Sequence, residues 1–261
     1  MILVTGSTGH IGNVLIRKLV SKGKQVRAMV LPGETYHSLE GLDIEIIEGN
    51  VLDITSLERA FKDINVLYHL AGIISIIPDD EEKMWKVNVE GTRNVSEVAH
   101  KVGVNRMVHV SSIHAFERQP HGIIVDENTP LISPDSKTWG YDKTKAEGTH
   151  EVLKVVKKGL NAVIVCPTGI IGPYDFFSSE TGQLIRSFTN KKIHPLIHGS
   201  YDFVDVRDVV NGLLLAEEKG RTGEIYILSG TNISLVKIKE LVQEIIGIRT
   251  PHVIFPFRLA L

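Results

Sequence analysis

Hydrophobic positions along the chain follow two alternating patterns. Short, nearly continuous apolar runs, typical of strands buried in a parallel sheet, alternate with stretches in which apolar residues recur every three or four positions, typical of amphipathic helices. The runs predict strands at residues 2–4, 25–31, 44–47, 66–71, 106–110 and 162–165. The helical pattern covers residues 13–21, 55–61, 81–102 and 137–156. This alternation predicts an α/β fold built on a doubly wound parallel sheet.

Several helix ends carry local signals. Gly23 and Gly103 follow the first and third helical stretches, at the position where a left-handed residue ends many helices. Thr55 and Glu58 have the spacing of a capping box, which predicts that the second helix begins near Thr55.

The alternation becomes less regular after Gly172. Helices are predicted at residues 179–190 and 206–219, followed by a strand at 224–228 and a helix that Ser234 caps and that extends to residue 246. Residues 257–261 resemble the start of another helix. We therefore predict a first domain over residues 1–170. Residues 171–261 are predicted to form mainly a small C-terminal lobe that is interleaved with the first domain.

The composition narrows the classes of function. The chain has 261 residues, 43% of them hydrophobic, and a formal net charge of −2, so we expect a large core and no affinity for nucleic acid or anionic membranes. The single cysteine, Cys166, excludes an internal disulfide and a multi-cysteine zinc site. The histidines lack metal-ligand spacing, so no metal is expected. No apolar run could span a bilayer and no leader pattern is present, so we expect a cytoplasmic protein.

The first strand leads into a glycine-rich turn, Thr5-Gly6-Ser7-Thr8-Gly9-His10-Ile11-Gly12. Glycines allow a pyrophosphate to approach the backbone at a helix N-terminus, where free N–H groups and the helix dipole favour anions. The spacing is G-x-x-G-x-x-G. The alternative is a tight turn without a ligand, but the position directly after a strand favours dinucleotide binding.

Tyr141 and Lys145 form the second candidate chemical group. They are four residues apart in a predicted helix, so their side chains lie on one face about one turn apart. A lysine cation near a phenol stabilises the phenolate and lowers the phenol pKa from its usual value near 10. The pair is therefore predicted to transfer a proton to or from an oxygen atom near neutral pH.

Eight motifs in a fixed order carry a family resemblance. They are TGSTGHIG at 5–12, GNVLD at 49–53, YHLAG at 68–72, VNVEGTRNV at 87–95, HVSS at 109–112, YDKTK at 141–145, PTGIIGP at 167–173 and FVDVRDVV at 203–210. On these motifs the chain resembles the extended short-chain dehydrogenases/reductases, also known as the NAD-dependent epimerase/dehydratase family. This group includes sugar-nucleotide epimerases, dehydratases and dihydroflavonol-type reductases.

The resemblance implies a Rossmann-type fold, a nicotinamide dinucleotide cofactor and a serine–tyrosine–lysine catalytic group. By position the catalytic residues are Ser112, Tyr141 and Lys145, with Ser111 the second choice for the serine. The implied cofactor-binding residues are Gly6, Thr8, Gly9, His10, Ile11, Gly12, Asn50, Val51, Leu70, Ala71, Gly72, Ser111, Tyr141, Lys145, Pro167 and Thr168. Members of the family often form homodimers through the two long helices. They also commonly continue with further helices, so we expect a substrate lobe that is shortened at its C-terminal end.

The choice between NAD and NADP depends on the end of the second strand. An acid there accepts hydrogen bonds from the ribose of NAD, whereas an arginine binds the 2′-phosphate of NADP. The residues at these positions are Val30 and Leu31, and both are apolar. The missing acid favours NADP slightly over NAD.

The substrate class is predicted from departures from the sugar-nucleotide pattern. Cys166 replaces an asparagine and Tyr201 an arginine, and in sugar-nucleotide enzymes both of the replaced residues contact the diphosphate. The pattern is closer to the dihydroflavonol-reductase and hydroxysteroid-dehydrogenase branch. His114 is a further residue that could reach the substrate. The predicted lining is apolar and aromatic, formed by Ile73, Ile74, Ile76, Phe116, Trp139, Tyr174, Phe176 and Phe177.

The predicted function is hydride transfer between NAD(P) and a small hydrophobic ketone, aldehyde or alcohol. Two alternatives stay open. The first is a sugar-nucleotide epimerase or dehydratase that reoxidises its cofactor in place. The second is a non-catalytic dinucleotide sensor, which the presence of both Tyr141 and Lys145 disfavours.

Overall fold

A computed structural model describes residues 1–75, 80–120, 122–177, 179–190, 192, 194–197 and 199–255. The strands are β1 Ile2–Thr5, β2 Val26–Val30, β3 Glu45–Glu48, β4 Val66–His69, β5 Arg106–Val110, β6 Ala162–Pro167, β7 Gly169–Ile171, β8 His194–Ile197, β9 Ser200–Asp205, β10 Ile225–Leu228, β11 Thr231–Ser234 and β12 His252–Phe255. The helices are α1 His10–Ser21, α2 Ile54–Ala60, α3 Glu81–Trp85, α4 Thr92–Val102, α5 Gly140–Val156, α6 Glu180–Ser187, α7 Val206–Lys219 and α8 Leu235–Ile246.

Seven strands form one sheet in the order β10-β6-β5-β4-β1-β2-β3, and every neighbouring pair is parallel. The order of the first six strands is the 3-2-1-4-5-6 order of dinucleotide-binding sheets, in which ligands bind at the carboxyl ends of the strands. The predicted Rossmann-type fold is therefore confirmed. Because Thr5 is paired with His69, the ends of β1 and β4 lie side by side at that edge.

Helices cover both faces of the sheet, which explains why its strands are apolar at successive positions. On one face, Val4 and Val108 pack with residues of α1 and α7 such as Leu15 and Leu213. On the other face, Leu3 and Met107 pack with residues of α4 and α5 such as Val95 and Val152. These two layers fix the strand ends that carry the candidate site.

The region after β6 divides between the main sheet and a small lobe. The predicted strand at 224–228 appears as β10, the seventh strand of the main sheet, beside β6. The lobe contains a three-stranded sheet, β11-β9-β7, and a two-stranded pair, β12-β8. A separate apolar cluster that includes Phe188, Leu196 and Ile238 holds α6 and α8 against these strands.

Three helices before residue 170 begin at residues other than those predicted. The first, α1, begins at His10 rather than at residue 13. The second helix begins at Ile54, because the Asp53 carboxylate caps it by accepting a hydrogen bond from Thr55 N at 3.0 Å. Helix α5, which carries Tyr141 and Lys145, begins at Gly140, which has φ of +72°, and Trp139 before it is extended.

The predicted helix at 81–102 contains an interruption. A turn of π-helix, Lys86–Gly91, separates α3 from α4. The left-handed ends at Gly23 and Gly103 were predicted correctly, with φ of +70° and +74°. None of the helices within the described ranges is both long enough and apolar enough to cross a bilayer. The predicted helix at 257–261 lies outside the described residues.

Candidate functional site

A cleft of about 730 Å³ opens at the carboxyl edge of the main sheet, between the sheet and the lobe. It brings together residues from the glycine-rich turn and from the segments that follow β4, β5 and β6. Thirteen of the residues predicted from the sequence line it: Gly6, Gly9, His10, Ile11, Gly12, Leu70, Gly72, Ser111, Ser112, Tyr141, Lys145, Pro167 and Thr168.

The glycine-rich turn packs too tightly for side chains at two of its glycines. Gly6 has φ of +65°, and a Cβ there would lie 2.7 Å from the backbone N of Ala71. A Cβ on Gly12 would overlap the carbonyl oxygen of Gly6. Gly9 is the N-cap of α1, with φ of −62°. The first N–H groups of a helix have no acceptor within it, so those of His10, Ile11 and Gly12 are placed at the wall of the cleft.

Ser112, Tyr141 and Lys145 line the same cleft. Ser112 follows β5, and its hydroxyl accepts a hydrogen bond from His114 N at 3.2 Å and interacts with the Tyr141 phenol. Lys145 lies one turn after Tyr141 on α5, and its ammonium donates to the Val110 carbonyl oxygen at 2.9 Å.

The two neighbouring serines are used differently. The Ser111 hydroxyl bonds to Thr149 Oγ1 at 2.7 Å and donates to the Lys145 carbonyl oxygen at 3.5 Å. These contacts hold β5 against α5. Ser112, whose hydroxyl is beside the Tyr141 phenol, is therefore the better candidate for a contact with substrate.

The pKa of Tyr141 differs from the sequence-based expectation. Burial raises the pKa of the Tyr141 phenol to about 12, although the hydrogen bond from Ser112 opposes this shift. Burial also lowers the pKa of Lys145 to about 8. The expected lowering of the Tyr141 pKa by Lys145 is wrong for this state, because both groups are removed from water and the Lys145 ammonium is directed to Val110.

The π-helical turn helps to position the catalytic helix. Asn88 in this turn accepts a hydrogen bond from Ile73 N at 2.8 Å and donates to Thr144 Oγ1 at 3.1 Å. Its carbonyl oxygen lies so close to Gly148 that a Cβ there would overlap it. A π-turn inside a helix is frequently found at a functional site. Here it fixes α5 and the segment after β4 relative to each other.

A chain of polar side chains extends from the cleft to the surface. The Tyr201 hydroxyl lies 2.9 Å from His114 Nε2, and His114 Nδ1 lies 3.0 Å from the Asp142 carboxylate. The His114 ring also contacts the Tyr141 ring edge to face, with centroids 5.7 Å apart. Arg118 binds the other oxygen of Asp142 at 2.9 Å. His114 is therefore beside the catalytic tyrosine.

Comparison with known proteins gives the family. The family model for the NAD dependent epimerase/dehydratase family matches residues 2–229. The chain belongs to the NAD-dependent epimerase/dehydratase family. Sterol demethylase protein B of Methylococcus capsulatus (strain ATCC 33009 / NCIMB 11132 / Bath) is 37% identical over 257 residues, which are 98% of this chain and 78% of that protein.

Two further comparisons agree with this family. A putative dihydroflavonol 4-reductase of Synechocystis sp. (strain ATCC 27184 / PCC 6803 / Kazusa) is 35% identical over 263 residues, 99% of this chain and 76% of that protein. The crystal structure of gox2253 superposes with a TM-score of 0.91 and 34% identity, covering 98% of this chain and 78% of that one. The resemblance inferred from the motifs is confirmed, and the chain is an oxidoreductase of the epimerase/dehydratase family.

The residues present fit the dinucleotide that membership of the epimerase/dehydratase family implies. The close approach between Gly6, Gly12 and Ala71 leaves a side-chain-free surface, with helix N–H groups that can bind a pyrophosphate. Gly72 is also tightly placed, since a Cβ there would lie 3.1 Å from Asn88 Oδ1 and 3.8 Å from Lys145 Nζ. Among the described residues, no group of three or more His, Cys, Asp or Glu side chains could hold a metal ion.

Four residues predicted to contact the cofactor lie outside the lining of the cleft. The Ala71 N–H donates to Thr5 Oγ1 at 3.2 Å. Asn50 Oδ1 accepts from Leu52 N at 2.9 Å, and Val51 is buried in the core beside Gly91. Thr8, the fourth, is in the glycine-rich turn, where its hydroxyl donates to Glu34.

The predicted apolar lining is only partly present. Ile73 and Ile74 line the cleft. Phe116 is buried in the main core at 3% exposure, so the prediction that it lines the cleft is wrong. Four of the predicted aromatic lining residues are exposed and are not part of the lining. They are Trp139, Tyr174, Phe176 and Phe177. Ile76 lies outside the described residues.

The lobe adds lining residues that the sequence patterns did not indicate. They are Gly169, Ile170, Ser179, Glu180, Thr181, Gln183 and Phe203. The first turn of α6 therefore adds polar residues to the lining of the cleft, whereas Ile73 and Ile74 add apolar ones.

Glu34 is a further residue that the sequence patterns did not indicate. Its carboxylate accepts hydrogen bonds from Thr8 Oγ1 at 2.7 Å and from Leu31 N at 2.9 Å. Val30, at the position where an acid is expected in NAD-binding sheets, is 2% exposed, and Leu31 is 50% exposed. An acid is therefore present beside the glycine-rich turn, three residues beyond the end expected from the strand.

Proposed function

We propose that this protein is an NAD(P)-dependent oxidoreductase that transfers hydride to or from a small hydrophobic ketone, aldehyde or alcohol. The observation that carries the proposal is that Ser112, Tyr141 and Lys145 line the same cleft as the glycine-rich turn. The similarity to a putative dihydroflavonol 4-reductase supports a reductase rather than another activity of the family.

The proposed roles follow from the side chains. The nicotinamide supplies or accepts the hydride when it is bound. Tyr141 donates a proton to the substrate oxygen, or accepts one from it, and the Ser112 hydroxyl binds the same oxygen. Because burial raises the pKa of Tyr141 to about 12, the phenol holds its proton at neutral pH and is ready for reduction. Lys145 lies one helical turn after Tyr141 and donates to Val110 in this state; its proposed role is to turn towards the phenolate that remains and stabilise it.

The cofactor preference inferred from the sequence was NADP, because Val30 and Leu31 supply no acid for the ribose of NAD. The Glu34 carboxylate weighs against this preference, since an acid is available from a different position.

The lining supports a substrate with an apolar body. Ile73, Ile74 and Ile170 are the aliphatic residues of the cleft beside the catalytic group, and Phe203 adds an aromatic ring. Burial of such surfaces contributes about 25 cal/mol per Å². The epimerase alternative is disfavoured because Cys166 is fully buried and cannot replace an asparagine that binds a diphosphate.

We also propose a cytoplasmic homodimer that pairs through α4 and α5, as the family resemblance implies. Sedimentation of the purified protein at several concentrations tests this proposal. A monomer at every concentration would contradict it.

The test of the proposed function combines a substrate panel with one substitution. A panel of hydrophobic ketones and aldehydes is incubated with NADH and NADPH, and Tyr141→Phe is compared with the parent. We expect the substitution to lower turnover by a factor on the order of 10² to 10⁴, the usual contribution of a positioned acid, while dinucleotide binding is kept. An equal turnover rate in a folded Tyr141→Phe protein would refute the assignment of Tyr141. A parent that binds a dinucleotide but turns over no member of the panel would favour the sensor alternative.

A further inference from the structure

Resting on the proposed function, we propose that Glu34 makes this enzyme selective for NAD over NADP by binding the hydroxyls of the adenosine ribose. This proposal reverses the preference that Val30 and Leu31 suggest. It depends on a local turn that returns the chain to the end of β2.

Leu31-Pro32-Gly33-Glu34 forms that turn. Proline in second place and glycine with positive φ in third place are the signature of a type II turn, and Gly33 has φ of +75°. The Glu34 N–H donates to the Leu31 carbonyl oxygen at 3.0 Å, which closes the turn. The Glu34 carboxylate then accepts from the Leu31 N–H. The turn therefore returns an acid to the strand end where the sequence alone shows only apolar residues.

The second contact places this carboxylate at the dinucleotide site. Glu34 Oε1 accepts from the hydroxyl of Thr8, which lies between Gly6 and Gly9 in the glycine-rich turn. In sheets of this type, an acid about 20 residues beyond that turn binds the ribose 2′-hydroxyl of NAD. Glu34 has this spacing from Gly12.

The carboxylate has acceptor capacity left for a ribose. An ionised carboxylate offers about four lone-pair sites, and each Glu34 oxygen accepts one hydrogen bond from the protein. Two hydroxyl donors can therefore bind without displacing Thr8 or Leu31. The existing bonds fix the side chain, so little rotational freedom remains to be lost when the ribose binds.

A 2′-phosphate at the same place meets a second carboxylate as well. Glu48, at the end of β3, accepts from Gly33 N at 3.5 Å, so two negative groups border the turn. Arg17 on α1 donates to the Ser38 carbonyl oxygen at 2.7 Å, and its guanidinium lies 4.7 Å from the centroid of the Tyr174 ring. This cation is therefore already engaged, and like charges close together disfavour the phosphate of NADP.

The test measures dinucleotide binding without a substrate. Dissociation constants of NADH and NADPH are measured by calorimetry at equal ionic strength for the parent, Glu34→Gln and Glu40→Gln. Glu40 is a matched control, because it lies on the same connection but its carboxylate contacts His37. Glu34→Gln keeps the side-chain size and removes the charge, and thermal unfolding checks that each variant is folded.

We expect the parent to bind NADH at least about tenfold more tightly than NADPH, as one charge-assisted hydrogen bond can provide. Glu34→Gln should reduce this ratio by about tenfold or more, and Glu40→Gln should leave it unchanged. A parent that binds NADPH as tightly as NADH, or a ratio that Glu34→Gln does not change, overturns the role of Glu34. The proposed function is not affected by either result. If neither dinucleotide binds the folded parent, both the role of Glu34 and the proposed function are refuted.

Discussion

Gly12 faces the carbonyl oxygen of Gly6 so closely that the smallest side chain on Gly12 would overlap it. Gly9, between them, is less restricted. Its φ of −62° suits any residue, and a Cβ there would lie 3.3 Å from Gly6 O. The three glycines of the turn therefore have separable roles, since Gly6 and Gly12 are required for folding and Gly9 adjoins the cleft.

Two substitutions should separate binding from folding. Gly9→Val should leave the protein folded and abolish dinucleotide binding, because its side chain enters the space that a pyrophosphate needs. Gly12→Ala should instead lower the free energy of unfolding by about 1–3 kcal/mol or more, as an overpacked core does. Calorimetric titration with NADH and urea unfolding measure the two effects. Unchanged affinity in a folded Gly9→Val protein would mean that the turn is only structural.

The pH dependence of reduction should report Lys145. Burial lowers the pKa of Lys145 to about 8, so the cation is present at pH 7 and is lost as the pH rises through 8. We expect kcat/KM for reduction to fall over that interval, because the phenolate of Tyr141 loses its stabilising charge. If the two groups interact during the reaction, we expect the measured value to belong to the Tyr141–Lys145 pair.

Lys145→Arg is the control for this assignment. Arginine stays protonated throughout the measurable range, so the decline near pH 8 should disappear even if the rate is lower overall. Lys145→Met should reduce turnover by a factor on the order of 10² at all pH values. A decline near pH 8 that persists in Lys145→Arg would show that another group titrates there.

The stacked pair of His69 and His109 should make the protein sensitive to acid. The rings lie 5.3 Å apart at the centre of the sheet, and burial lowers the pKa of His69 to about 3 and that of His109 well below its ordinary value. Below about pH 6.5 the unfolded chain binds protons that the folded protein does not. The free energy of unfolding should therefore fall from pH 6.5 towards pH 3, by up to about 1.4 kcal/mol per pH unit for each histidine.

His109→Phe tests this dependence. Neither ring nitrogen of His109 has a hydrogen-bond partner among the described residues, so phenylalanine removes a titrating group without breaking a bond. We expect the variant to show a shallower loss of stability between pH 6.5 and 4 in urea unfolding. His37→Phe, a change at an exposed histidine, should keep the parental slope. An unchanged slope in His109→Phe would contradict the assignment.

Gly148→Ala should destabilise the protein, although alanine is the better helix former. In an exposed helix the same change adds roughly 1 kcal/mol of stability. Here the new Cβ would overlap the carbonyl oxygen of Asn88 in the π-helical turn. We expect a lower melting temperature and lower turnover, because α5 carries Tyr141. A more stable Gly148→Ala protein would show that the turn and α5 can separate without consequence.

The sequence predicted the main sheet well because its strands are apolar on both faces and its helices end at recognisable residues. The helix at 206–219 was predicted with the bounds of α7, and Ser234 is the N-cap of α8. The lobe strands β7, β9 and β11 were not predicted. They have only three to six residues, and their pairing depends on contacts that no local pattern contains.

The candidate site was likewise predicted only in part. The glycine-rich turn and the segments after β4, β5 and β6 meet in the cleft because each follows a strand of one parallel sheet, whereas Tyr141 and Lys145 come from α5. Glu34 was not predicted because it lies beyond Leu31, the last residue of the predicted strand. The turn at Pro32 and Gly33 brings its carboxylate back to the end of that strand. The raised pKa of Tyr141 was not anticipated because sequence spacing shows that Lys145 is near, but not how deeply both groups are buried.

The parallel pairing of β7 with β9 separates the chemistry of this enzyme from its choice of substrate. Both strands belong to the three-stranded sheet of the lobe, so the chain that leaves β7 returns to a neighbouring position, about 4.8 Å away, the spacing of paired strands. Residues 172–199 contribute Ser179, Glu180, Thr181 and Gln183 to the cleft, but none of the catalytic group. An excursion with adjacent ends can be exchanged as a unit. A chimera that carries the corresponding excursion of a relative is therefore expected to keep the proposed hydride transfer and to acquire a new specificity.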